Sequence, residues 1–181
     1  MFEKMRYALL AVSGFVAAIT MMLSVAMAAE LPKPKGWSAF QDPKLGATLY
    51  YPENWFEPKG LVDGAYIFAS RHGDGKLILK SFLDGMRTGA AATITTFKDT
   101  PEAALISKID SGDMWYELTG KNEAGLNRYT RVVYSCKERV VTEMTLLYPA
   151  AQAEAYAPVI EKMKRRFQSG VGVETPVRQC S

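Results

Sequence analysis

The chain is short of the residues on which most enzymes depend. Its 181 residues include one histidine, His72, and two cysteines, Cys136 and Cys180. A Ser-His-acid or Cys-His mechanism would have to use His72, and no G-x-S-x-G elbow presents a nucleophile to it. Zinc sites draw on several His or Cys ligands, so one imidazole and two well-separated thiols argue against one. Asp110 and Asp113 lack the further oxygen ligands and the terminal Glu of a calcium loop. The Gly73-Asp-Gly-Lys76 run is no phosphate loop: no Gly stands five residues before Gly75, and Leu77 replaces the required Ser or Thr. No spacing singles out a pair of carboxylates. The sequence therefore assigns no catalytic, cofactor-binding or metal-binding residue, implies no cofactor, and argues against an enzyme.

Charge of one sign is also scarce. Twenty-two Lys and Arg face nineteen Asp and Glu, a net charge of +3. That bias is too weak to imply nucleic acid, and physiological salt screens it further. There is no internal repeat and no low-complexity tract. Long apolar runs are absent with one exception, the uncharged stretch from Tyr7 to Ala29. Lys4 and Arg6 precede it, and Ala26-Met27-Ala28 places small residues at both positions that a signal peptidase needs. This is the pattern of a secretory signal peptide cut after Ala28. The alternative is an N-terminal membrane anchor, since the run could cross about 30 Å of hydrocarbon. The turn-prone Leu31-Pro32-Lys33-Pro34 that follows favours cleavage.

The expected organisation is a signal peptide at 1–28, a lead-in linker at 29–36, a single domain at 37–169 and a tail at 170–181. The expected location is the periplasm or the secreted space, with no membrane span after cleavage and an envelope or secreted protein as partner. In an oxidising compartment two cysteines favour one disulfide, Cys136–Cys180. Closing that loop would stabilise by about 4 kcal/mol in the chain-entropy model. The alternative is two free thiols.

The remaining sequence alternates strands and turns. Trp37–Gln41 and Ala47–Tyr51 read as strands around Asp42-Pro43 and Gly46. Trp37, Phe40, Tyr51 and Trp55 make the N-terminal corner dense in aromatics, either a core wall or a stacking platform for a ligand or partner. Ala65–Ser70 and Lys76–Phe82 form a hairpin through a turn containing Asp-Gly. His72, in that turn, reads as a solvated loop residue. Residues 83–99 read mostly as loop, with a short strand at Thr93–Phe97. Thr100-Pro101-Glu102 has the chemistry of a helix start, predicting a helix to Ile109 that buries Ala104, Leu105 and Ile109. Asp110–Asp113 then reads as solvated loop. Met114–Thr119, Arg128–Cys136 and Val140–Tyr148 complete a sheet, the last with clear period-two alternation. Tyr156, Ile160, Met163 and Phe167 mark one face of a final helix, whose main body is expected to start at Pro158.

Two stretches resemble a known pattern. Phe40-Gln-Asp-Pro-Lys-Leu-Gly46 with Leu49-Tyr-Tyr-Pro-Glu-Asn-Trp55 resembles the opening of PsbP-like domains, where an early strand pair ends in a Tyr-Pro-x-x-Trp turn. Tyr156–Phe167 is similar to the last helix of that superfamily, with Arg166 where a Ser is usual. Met114-Trp-Tyr-Glu-Leu-Thr-Gly120 through Leu147-Tyr-Pro-Ala150 resembles a group of secreted bacterial proteins of unknown function. The resemblance implies an α+β fold, an α-β-α sandwich around a central, mainly antiparallel sheet. It implies an accessory, binding or assembly role and carries over no catalytic residue. The expected function is thus a non-catalytic accessory or protein-binding domain. The alternatives are a small-molecule or lipid-binding domain using the aromatic corner, and a hydrolase with a carboxylate site.

Overall fold

The structure, a computed structural model, describes residues 33–171. The leader, most of the lead-in, Cys180 and most of the tail lie outside the described residues. Strand β1 (Trp37–Gln41) pairs antiparallel with β2 (Thr48–Pro52) as a two-stranded ribbon. Their turn is held by Asp42, whose carboxylate accepts from the Lys44 amide at 3.0 Å and whose carbonyl accepts from Gly46. Seven further strands form one sheet: β3 (Phe56–Val62), β4 (Ala65–Ser70), β5 (Lys76–Leu83), β6 (Ile106–Gly112), β7 (Trp115–Lys121), β8 (Asn127–Ser135) and β9 (Val140–Tyr148). Their spatial order is β3-β4-β5-β9-β8-β7-β6, and every neighbouring pair is antiparallel.

Alternation sends the two faces of the sheet to different partners. One face carries Phe68, Leu77, Leu79, Tyr129, Met144, Leu146 and Tyr148 into the main core. Helix α2 (Ala153–Lys164) covers it with Tyr156, Ile160 and Met163, beside the β1–β2 ribbon. The opposite face carries Val132, Tyr134 and Val141, and helix α1 (Gly89–Lys98) packs Ala90 on them. Helices on both faces of an antiparallel sheet make the expected α-β-α sandwich. The chain after α2 is tied back by paired backbone hydrogen bonds between Thr48 and Gln168.

Four local expectations are corrected. Residues 89–98 are a helix, not loop and strand. Thr93 and Thr95 fit it because their hydroxyls donate back to the Gly89 and Ala91 carbonyls. The Asp84 carboxylate accepts from the amides of Thr88 and Met86 just ahead of the helix, and the Thr88 amide above all holds its pKa low. The helix expected from Thr100 to Ile109 is a single 3-10 turn, Pro101–Leu105, followed at once by β6. The Thr100 hydroxyl closes the helix behind it, donating to the Phe97 carbonyl at 2.7 Å. Asp110 accordingly lies on a strand rather than in a loop. Pro158 sits inside α2, which begins at Ala153. It is exposed, so the carbonyl that loses its donor faces water. The edge strand β3 was not expected. Pro58 and a bulge between Pro58 and Gly60 interrupt it.

The β8–β9 turn places Cys136, Lys137 and Glu138 successively at φ of 54°, 54° and 67°. A left-handed L-residue costs about 1–2 kcal/mol, so this turn holds strain that the flanking strand pair supports.

Burial raises the pKa of Tyr51, Tyr116, Tyr129, Tyr134 and Tyr148 above the ordinary tyrosine value of 10.0. Above about pH 10 the unfolded chain gives up these protons while the folded chain keeps them, so the folded state binds more protons and stability falls as pH rises. The urea midpoint should therefore decline steadily above about pH 10. A midpoint unchanged between neutrality and about pH 11 would contradict the burial assigned to these rings.

Candidate functional site

The four aromatic candidates of the N-terminal corner have different fates. Trp37 is buried, with the Lys162 ammonium 4.8 Å from its ring centre. Phe40 packs on Tyr66 at 4.6 Å and edge-on against Phe68 at 5.3 Å. Tyr51 is buried against Phe68 at 4.9 Å. These three are core wall. Trp55 instead lines an open cleft of about 440 Å³ with Asn54, His72, Gln152, Ala155 and Tyr156.

Three segments build the cleft: the turn between β2 and β3, the β4–β5 turn, and the start of α2. The Trp55 carbonyl accepts from the Arg71 amide at 2.8 Å, fixing the first turn to the second. The indole meets Tyr156 at 4.9 Å and His72 at 5.7 Å, both edge-on. Tyr156 stacks nearly parallel on Tyr148 at 4.6 Å, so the cleft floor is continuous with the core. Its hydroxyl shares a 3.2 Å hydrogen bond with Ser70, and the Ser70 oxygen also accepts from the His72 amide. The Gln152 amide donates to the His72 carbonyl at 2.9 Å, tying α2 to the β4–β5 turn. A Cβ on residue 75 would come within 2.8 Å of the Leu147 carbonyl and 3.2 Å of the Tyr156 hydroxyl. Gly75 therefore lets the tyrosine reach Ser70.

His72 is exposed, as expected of a loop residue, but its ring also forms one wall of the cleft. Gln152 and Tyr156 were not anticipated here, since nothing local links them to a turn some eighty residues earlier. No carboxylate, ammonium or guanidinium lines the cleft. An uncharged aromatic recess of this kind binds apolar groups and orients them with a few polar contacts.

A second constellation escaped sequence reading. Glu117 on β7 stands opposite Arg131 on β8 and is 5% exposed. Its carboxylate bonds to the Arg131 guanidinium and, at 3.1 Å, to the Lys164 ammonium at the end of α2. Arg131 lies over the Trp115 ring at 4.8 Å. The adjacent Tyr129 hydroxyl is buried beside the Glu117 carboxylate. Lys108, Asp110 and Glu161 extend this group into a smaller cleft of about 240 Å³. The charges are mixed and mutually paired, which suits fastening α2 to the sheet. Among the described residues no group of three or more His, Cys, Asp or Glu side chains could hold a metal ion. Among them, too, no helix is long and apolar enough to cross a membrane, and no cysteine is free.

Removing Glu117 would leave the mostly buried Arg131 guanidinium, whose side chain is 17% exposed, and the Lys164 ammonium without their shared carboxylate. Glu117→Ala should cost about 3–5 kcal/mol in urea unfolding, while Lys164→Ala, whose ammonium is partly in water, should cost about 1 kcal/mol or less. Equal losses would show that Glu117 is not the buried centre of the cluster.

No protein-family model matches the chain, and no curated protein matches its sequence. Solved structures do match. The solution structure of cyanobacterial PsbP, CyanoP, from Synechocystis sp. PCC 6803 aligns with a TM-score of 0.55 at 14% identity, over 74% of this chain and 92% of that one. The Ran-binding protein Mog1p of Saccharomyces cerevisiae aligns at 0.47 and 12% identity, over 73% of this chain and 94% of that one. A protein of Bacteroides thetaiotaomicron aligns at 0.44 and 16% identity, over 66% and 45% of the two chains. The seven-stranded antiparallel sheet, the ribbon and the two covering helices are thus those of an α+β chain with a PsbP-like fold.

Proposed function

We propose that this chain is an exported, non-catalytic accessory domain that binds another envelope or secreted protein, and that the Trp55 cleft is where the partner docks. The observation that carries this reading is the cleft itself. It holds a half-buried Trp and a buried Tyr, rigidly backed by the core, in a recess without formal charge. Such aromatic anchors concentrate binding energy at protein interfaces. Little ordering entropy is lost on binding, because Trp55, Tyr156 and Gln152 are already held by ring packing and hydrogen bonds.

Export is supported by the leader pattern at 1–28 and by the cysteine pair. Under the same proposal Cys136 bonds to Cys180 and holds the tail to the strained β8–β9 turn. Mature protein should then show no thiol available to alkylation until it is reduced. Cys136→Ser should lower stability by about 4 kcal/mol if the chain-entropy account holds. Two thiols alkylated without reduction would remove the disulfide.

Partner capture from a periplasmic extract tests the docking site. Asn54 is exposed at the cleft rim, so Asn54→Arg should leave the fold intact while bringing a charge to the cleft. The variant should recover the partner at least about tenfold less well, a loss near 1.4 kcal/mol, with an unchanged urea midpoint. Equal recovery by both proteins would move the docking site elsewhere.

A further inference from the structure

The face of the sheet that carries α1 holds a second recess, separate from the Trp55 cleft. Two rows of side chains cross the strands there. Tyr116, Val132, Glu143 and Lys80 stand in register on β7, β8, β9 and β5, and Tyr134, Val141 and Phe82 form the next row on β8, β9 and β5. Val132 and Val141 are short and buried, so they make a floor, and the longer side chains around them make walls. The recess measures about 260 Å³, small for a drug-sized ligand and suited to a single side chain. β5 runs from the turn of the Trp55 cleft at Lys76 to this recess at Phe82, and the two sites lie beside different helices.

The walls are aromatic and acidic. Phe82, Tyr116 and Tyr134 supply rings, Asp84 and Glu143 supply charge, and no lysine or arginine lines the recess. Asp84 spends its oxygens on the amides of Met86 and Thr88. Glu143 accepts from the Thr145 hydroxyl at 2.8 Å. Among the described residues neither carboxylate forms an ion pair. Lys80, opposite Glu143, instead carries its ammonium over the Phe82 ring, 5.7 Å from the centre. Burial above all, then the charges of Tyr134 and Glu143, holds the Tyr116 pKa high. Glu143 is therefore the carboxylate left to receive a cationic donor. At the rim Phe82 is 42% and Met86 88% exposed. Met86 is held out in water by an ordered loop: the Asp84 carboxylate accepts from its amide, and the Asp84 amide donates to the Arg139 carbonyl, both at 2.8 Å. Pinned, exposed apolar side chains mark interaction surfaces, and methionine adapts to the shape of a partner.

A free amine would enter the recess but leave Met86 in water. A guanidinium is planar, bonds a carboxylate with two N–H groups and lies on aromatic rings, and a protein segment that carries it can also cover the rim. We propose that this recess is a second docking site, which takes an arginine of a partner protein segment against Glu143 while an aliphatic neighbour of that arginine packs on Met86.

The test is an NMR titration of the mature protein, labelled at its methionine methyls, with three probes. One is a capped nonapeptide of serine and glycine with a central arginine flanked by leucines; the second has glutamate for that arginine; the third is butylguanidinium alone. The arginine peptide should shift the Met86 methyl and the Tyr116 and Tyr134 ring signals, and its affinity should fall as salt is raised. The other two probes should bind at least about tenfold more weakly. Met86→Ser, at an exposed position, and Glu143→Gln, which keeps an acceptor for Thr145, should each weaken the arginine peptide about tenfold with an unchanged urea midpoint. Asn54→Arg should leave its affinity as it is. Equal binding of the glutamate peptide, no Met86 shift at millimolar peptide, or indifference to both Met86→Ser and Glu143→Gln would overturn the proposal. Butylguanidinium binding as tightly as the peptide would overturn it in favour of a small-cation site. Loss of the peptide with Asn54→Arg would overturn it by moving the peptide to the Trp55 cleft.

Discussion

Strand β9 has almost no side left to water, and the architecture follows from that. It is the middle strand of seven, and eight of its nine residues are buried, Glu143 being the exception. A strand buried on both faces requires a layer above and a layer below. On one side Met144, Leu146 and Tyr148 are covered by α2, and on the other Val141 lies in the cluster that α1 covers. Each such side chain contributes about 1.5–3 kcal/mol when fully removed from water. The ribbon and the return of the chain to Thr48 complete the cover over the main core.

What could be read from the sequence tracks how regular each element is. β8, β9 and the buried side of α2 were legible because their apolar residues recur with one clean period. β6 was not, because a bulge between Ile106 and Lys108 breaks its alternation. Ile109, four residues after Leu105, then imitates the buried side of a helix. The Thr-Pro-Glu sequence ahead of them is sound start chemistry, yet it begins only one 3-10 turn. α1 was hidden because glycine, alanine and threonine dominate it and Ala90 and Ile94 are its main buried anchors. β3 was hidden by Pro58 and Gly60, which read as loop. The aromatic corner was legible as a corner but not as a division: composition cannot show that Trp37 and Tyr51 turn inward while Trp55 opens onto a cleft. Gln152 and His72 belong to that cleft only through the fold.

Helix α2 connects the aromatic cleft to the ion cluster on the sheet. Tyr156 near its start forms the floor of the uncharged cleft, and Lys164 at its end completes the ion cluster on Glu117. The twelve-residue helix spans about 18 Å. Its far end is fixed by charge and its near end by ring stacking on Tyr148. The division is physically economical. Mutually satisfied charges tolerate burial where nothing need enter, while a surface that must shed water on contact does so more readily without them.

The interruption of β3 has a consequence for the chain in concentrated surroundings. An outer strand with continuous free amides and carbonyls is a template on which other chains can polymerise. Here Pro58 removes a donor, the bulge twists the outer row, and Glu57 forms ion pairs with Lys59 and Arg71 along it. These features discourage strand addition and the growth of aggregates from this edge. The β3 edge is therefore a poor template for a second chain.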